Sequence, residues 1–118
     1  MHAIFDYKNF PNVIVTFGKS IDNIEEFNIF LKQWLNLYYQ KKDFIFIFDT
    51  RPIEKIPNIK YCILLSLFIK KLKSYPYQYL KKSYMIINEP KIKKLLDFIF
   101  LIQSPVSEIE VTNKMPTF

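Results

Sequence analysis

The chain reads as a single α/β domain, a mostly parallel sheet of four to five strands with three helices, in the order β-β-α-β-α-β-α-β. Three observations predict it. From Phe44 to Phe48, five large apolar residues run without a polar break and stop at Asp49 and Thr50. Such a run leaves no polar face, so it fits a central strand with helices over both sides. Ile24, Phe27, Leu31, Trp34 and Tyr38 recur at steps of three and four, the spacing of an amphipathic helix. Beyond them, strand-like and helix-like segments alternate, as right-handed crossovers in a parallel sheet require.

Taken in order, Ile4 to Tyr7 forms a first short strand and Lys8 to Asn12 a turn. The β-branched run Val13–Phe17 forms a second strand. Asp22 and Glu25 have the spacing of a capping box, with Ile24 opening the first helix. The central strand, Phe44–Phe48, leads into a loop with two prolines that ends at Asn58, where a second helix starts and runs to Lys73. Lys70, Lys71 and Lys73 in its last turn suit the helix dipole. Tyr75-Pro76-Tyr77 breaks that helix, Ser83 to Ile87 forms the next strand, and Lys91 to Leu101 the third helix. Val106 to Thr112 alternates Glu108 and Glu110 with Ile109 and Val111, which suits an edge strand guarded by charge. The domain spans residues 1–112, and 113–118 form a tail.

Composition narrows the function classes. Half of the 118 residues are hydrophobic and 18% are aromatic, enough for a core and against intrinsic disorder. Gly18 is the single glycine, which excludes Gly-rich phosphate loops and leaves other turns to Asn, Asp, Ser and Lys. Sixteen of the 17 cations are lysine and 18 residues are isoleucine, a bias that an AT-rich coding sequence produces. The net charge of +6 suits nucleic acid or anionic membrane as a partner. With Arg51 alone to make bidentate contacts, sequence-specific readout of nucleic acid is not expected. Cys62 is the only cysteine, which fits a reducing intracellular, cytoplasmic setting. Met1-His2-Ala3 runs into Asp6 and Lys8 with no apolar stretch of secretory length, so no signal peptide is expected. The longest apolar run, Tyr61 to Ile69, is broken by Ser66 and too short to cross a bilayer.

Candidate site residues gather where the central strand ends, because ligands of open α/β sheets sit beyond the carboxyl ends of the strands. Asp49, Thr50 and Arg51 stand there. Asp49 has the chemistry of a base or metal ligand, but an Asp at a strand end more often caps a loop or pairs with a cation such as Arg51. Thr50 and Arg51 could hold an anion beside the start of the second helix. His2 is the only histidine, which excludes a His-based triad and a multi-His metal site. Cys62 reads as a small hydrophobe. No catalytic residue, metal site or cofactor is therefore expected, and the chain does not read as an enzyme. Lys70, Lys71, Lys73, Lys81 and Lys82 fall at the amino edge of the sheet and Lys91, Lys93 and Lys94 at the opposite edge, so they form no single nucleic-acid track. Tyr75, Tyr77 and Tyr79 read as core cover before base-stacking groups. The second helix carries a surplus: Tyr61, Ile63, Leu64, Leu67 and Phe68 on one side, Cys62, Leu65 and Ile69 on another. One helix against one sheet needs one apolar stripe, so the remainder must meet a neighbouring helix, the tail or another subunit.

The element order, the segments Phe44–Thr50 and Ser83–Asn88, and the Lys91–Leu101 helix that follows resemble the STAS domains. That group contains the anti-anti-sigma factors and the cytoplasmic tails of sulfate transporters. The same features look like a pared-down relative of the lipid-binding CRAL-TRIO domains, which are much longer, so a lipid cavity is not implied. The resemblance covers Ile4 to Thr112. It implies a non-catalytic interaction module that meets a protein partner, or a second copy of itself, through the Thr50–Pro57 loop and the helix after it. The residues expected to bind, taken from the strand end, the loop and the apolar surplus of the helix, are Asp49, Thr50, Arg51, Lys55, Asn58, Tyr61, Leu64 and Phe68. STAS domains place a phosphorylatable serine at the start of that helix. Here Asp49 to Ile59 holds no serine, and Thr50 is its only hydroxyl. Two alternatives stand beside this reading. One is a basic structural or packaging component, virion-associated if the source is a virus, whose lysines meet nucleic acid or an assembly. The other is a small lipid- or anion-binding protein that uses the top of the sheet.

Overall fold

The computed structural model describes residues 3–117, so His2 lies outside the described residues. Its elements are β1 (Ala3–Asn9), β2 (Asn12–Phe17), α1 (Ile24–Tyr39), β3 (Phe44–Asp49), α2 (Ile59–Lys73), β4 (Leu80–Ile86), α3 (Pro90–Ile102) and β5 (Glu108–Thr112). The five strands lie in one sheet in the order β1-β2-β3-β4-β5. β2, β3, β4 and β5 are parallel, and β1 runs antiparallel to β2. The sheet is therefore mixed, and the expected mostly parallel sheet is right only in part. The difference begins at the Asn9-to-Asn12 connection, which is far too short for a crossover and can only fold back as a hairpin.

Local chemistry sets the helix boundaries. Asn23, one residue beyond the expected Asp22, caps α1: its side chain accepts from the N–H groups of Glu25 and Glu26. Asn58 does the same for Lys60 at the start of α2. Glu89 caps α3, with Pro90 in the first turn where its missing N–H costs nothing. The scarcity of glycine shows after α1, where Lys41 takes a left-handed conformation (φ 57°) in the place glycine usually fills.

Strand order decides where the helices go. Each parallel step, from β2 to β3 to β4 to β5, moves one place in the same direction, so right-handed crossovers set α1, α2 and α3 on one face. Val13, Phe46, Ser83 and Ile109 share one row of that face, and Val15, Phe48, Met85 and Val111 the next. Trp34 of α1 meets Phe46 at 5.2 Å between ring centroids and Phe68 of α2 at the same distance. Tyr38 closes on Phe44 at 5.8 Å and Phe46 on Phe48 at 4.6 Å. This aromatic column is the centre of the core.

The expectation of helices over both faces of β3 is overturned. The far side carries none, because no connection among the parallel strands reverses direction. Its central row runs Asp6, Ile14, Ile47, Tyr84 and Glu110, apolar in the middle and charged at both edges. Ile47 is buried there, while Ile14, Ile45 and Tyr84 are half-buried. Lys82 closes one end, bridging to Glu108 and Glu110 at 3.2 Å each and lying 4.6 Å from the Tyr84 ring centroid. β1 and β5 are the edges, as the charged alternation of β5 predicts. Replacing Lys41 with glycine should raise stability by about 0.5–1 kcal/mol, by relieving the left-handed turn. Chemical denaturation checks this; no gain, or a loss, counts against strain at that residue.

Candidate functional site

At the carboxyl end of β3, the three residues singled out from the sequence come together, but they satisfy one another. Arg51 donates from its backbone N–H and from Nε to Asp49 Oδ1, at 3.0 and 2.9 Å, and from Nη2 to Oδ2 at 2.9 Å. The chain folds back through a turn here, so the guanidinium fork reaches the carboxylate two residues earlier in the bidentate geometry that suits both groups. Hydrogen bonding from Arg51 holds the Asp49 carboxyl below its ordinary range, against the opposing effect of burial. Thr50 is buried and its hydroxyl donates to the Ile86 carbonyl at 2.6 Å, tying β3 to β4. Of the groups expected to hold an anion, Arg51 directs Nε and one Nη2 hydrogen to Asp49, Thr50 donates to a neighbouring strand, and Asn58 caps the Lys60 N–H at the start of α2.

The second part of the expected contact surface is turned inward. Tyr61 is buried against Phe27 of α1, with ring centroids 5.1 Å apart. Leu64 and Phe68 are half-buried and packed on the core. Tyr61 is thus covered, whereas Leu64 and Phe68 keep part of their surface exposed. Only Lys55 and Asn58 of the expected binding residues, with Arg51, are exposed. The apolar residues that do face outward are Ile59, Ile63 and Leu67, one turn apart, at 55%, 44% and 58% exposure. Ile63 and Leu67 were already in the surplus counted from the sequence; their phase relative to the core was not.

A feature without a sequence signal lies beneath α2. Between the helix layer and the sheet is an apolar cavity of about 140 Å³, with residues of all three helices in its wall. Phe48, Met85 and Ile109 line the sheet side, Leu65 and Ile69 the α2 side, and Leu96 and Ile99 the α3 side. Its origin is a mismatch in side-chain size. Ser83 sits between Phe46 and Ile109 in its row, and Cys62 of α2 is likewise small, and both residues line the space. Burial pushes the Cys62 thiol up, away from the reactive thiolate. Two residues of the wall carry buried polar atoms without a hydrogen-bond partner, Trp34 Nε1 and Ser107 Oγ. The loop residues Ile53 and Pro57 close the end nearest Asp49.

Among the described residues no cluster of His, Cys, Asp and Glu could hold a metal ion, and no helix is long and apolar enough to cross a membrane. No known protein family matches this chain, and no curated protein or solved structure matches it either.

The Asp49–Arg51 pair makes a pH-dependent contribution to stability. Because the folded-state carboxyl is held below its unfolded value of about 3.9, that contribution is complete above the unfolded value. It is lost as the pH falls through the lower, folded value. Asp49→Asn should lower the melting temperature by a few degrees near neutral pH and make no difference at strongly acidic pH. Thermal denaturation across acid pH measures this, and a deficit that persists undiminished in acid would point to a role for Asp49 other than its charge.

Proposed function

We propose that the protein binds a small apolar molecule between its helix layer and its sheet, and that it acts by binding, not by catalysis. The cavity carries this reading. The space is about 140 Å³, lined almost wholly by apolar groups and partly open to solvent, so a ligand has a way in and removes apolar surface from water on entering. A ligand that fills the space also gains contacts with its lining. The volume is close to that of an engineered apolar cavity that takes benzene, so the bound part is a ring or a short acyl segment, not a whole phospholipid. Trp34 Nε1 only donates, so a ligand oxygen that meets it would act as acceptor. Of the lipid-or-anion alternative, the cavity supports the lipid half, while Arg51 at the top of the sheet is paired with Asp49.

A second reading is favoured by a separate observation. The STAS resemblance implies a contact module built on the loop and α2, and Ile59, Ile63 and Leu67 give that helix an outward apolar stripe. The contact face is then this stripe with Lys55 and Asn58, in place of Tyr61, Leu64 and Phe68. The partner would be met inside the cell, the setting that a lone, buried cysteine fits. The packaging alternative has less support, because Lys81, Lys82 and Lys93 are engaged in ion pairs and so are not all available to a polyanion.

Trp34 is the only tryptophan and lines the cavity, so its fluorescence reports occupancy directly. Titration with hexanoic acid, heptanol and an anilinonaphthalene dye should shift its emission and raise the melting temperature in proportion to occupancy. Cys62→Leu should fill the space, gain about 1 kcal/mol of stability and weaken binding at least tenfold. Ser83→Val offers the same filling from the sheet side. Probes that leave the emission and the melting temperature unchanged, with neither variant more stable, sink the proposal.

A further inference from the structure

The outer surface of α2 has an unusual composition. Its exposed residues are Ile59, Lys60, Ile63, Leu67, Lys70, Lys71 and Lys73, every one either a branched aliphatic or a lysine. The helix contains no acidic residue at all. Ile56, in the loop just before it, extends the apolar stripe at 38% exposure. Capping and the helix dipole account for lysines in the last turn. They do not account for aliphatic groups exposed through the first turns. Lys60, near the N-terminus where the dipole disfavours a cation, lies 5.2 Å from the Tyr61 ring centroid.

We propose that this face of α2 docks on an anionic membrane surface. Ile59, Ile63 and Leu67 would enter the boundary between headgroups and acyl chains, and Lys60, Lys70 and Lys71 would meet lipid phosphates. Charge complementarity selects this occupant. Lysines flank the apolar stripe along α2, and Asp22 is the acid that shares the recess beside Ile56 and Lys60. An apolar stripe with a cationic border, on a helix lying flat on the domain, is the arrangement of interfacial helices that need both burial and attraction to anionic lipid. Long lysine side chains suit the role, since their methylene stems lie along an apolar surface while the ammonium groups reach the phosphates. The one acid of the preceding loop, Glu54, is exposed and lies outside the helix, while Asp97 of α3 is paired with Lys93 at 2.6 Å. The inference rests on the contact-face reading and commits it to a lipid surface. It also puts that surface beside Ile53 and Pro57, the loop end of the cavity wall.

Vesicle flotation tests it, using the full chain with phosphatidylcholine vesicles made with and without added phosphatidylserine. The expected result is flotation only with phosphatidylserine, weakened by high salt. Ile63→Ser/Leu67→Ser and Lys70→Glu/Lys71→Glu should each reduce binding at least about tenfold with the melting temperature unchanged, since all four positions are solvent-facing. Flotation that ignores Ile63 and Leu67 would mean lysine adsorption alone and would overturn the proposal. So would no flotation at low salt. Polyglutamate in competition separates this from the parent reading. If it displaces the protein and its binding depends on Ile63 and Leu67, the contact face stands with an acidic protein as partner and the membrane does not. If neither polyglutamate nor vesicles depend on those residues, both fall.

Discussion

The structure depends on a single constraint: a sheet whose parallel strands are laid down strictly in sequence order. Each crossover turns the same way and steps the same way, so all three helices fall on one face. Five strands about 4.8 Å apart span roughly 19 Å from edge to edge, and three helices about 9 Å apart span nearly the same width. One layer therefore covers one face with no helix to spare. Every large aromatic of β3 can then be used on a single side, and Phe44, Phe46 and Phe48 form the column on which Trp34 and Tyr38 rest.

The cavity follows from that economy. A helix layer seated on phenylalanine rings at β3 stands at the height those rings set, and its neighbours must be equally tall to fill the gap. Ser83 on the sheet and Cys62 on α2 are not. In a core close-packed elsewhere, two short side chains in facing layers leave a space that no adjustment of a rigid helix can close. The cavity, and the ligand class proposed for it, thus trace to the same two residues.

Much of the fold was legible before any coordinates. Element order and number, the bounds of α2, and the place of Asn58 at its start all follow from periodicity and capping. The sheet's one antiparallel pair was legible too in principle, since a connection as short as Phe10-Pro11 allows nothing else. What misled was Phe44–Phe48. An unbroken apolar strand suggests two covered faces, but here the far side of Ile45 and Ile47 is sheltered beside Ile14 and Tyr84, neighbours whose register no local pattern reveals. The candidate site fared similarly. The pairing of Asp49 with Arg51 could be anticipated from their spacing, and so could the surplus of apolar residues on α2. Which part of that surplus faces out depends on the helix's rotation about its axis, and that is fixed by Trp34 and Phe27, which approach from another element. The cavity lay beyond reach because Ser83 and Cys62 are far apart in sequence and small residues are silent in hydrophobic patterns.

α2 is where these strands of argument meet. An ordinary surface helix divides into one apolar stripe and one polar face. In α2 the inner arc roofs the cavity with Cys62, Leu65 and Ile69, the side arc holds α1 through Tyr61 and Phe68, and the outer arc is still aliphatic at Ile59, Ile63 and Leu67. The first two arcs are accounted for by stability, because each buries its residues against a named neighbour. The third leaves about half of each side chain in solvent. Isoleucine is common in this chain, and a coding bias could scatter it over any surface. The same bias favours lysine, so what marks this arc is that both residue types fall together on one exposed face of one helix that carries no acid. The combination is a property of the arc, and it is the reason to look for function on the outside of α2 as well as beneath it.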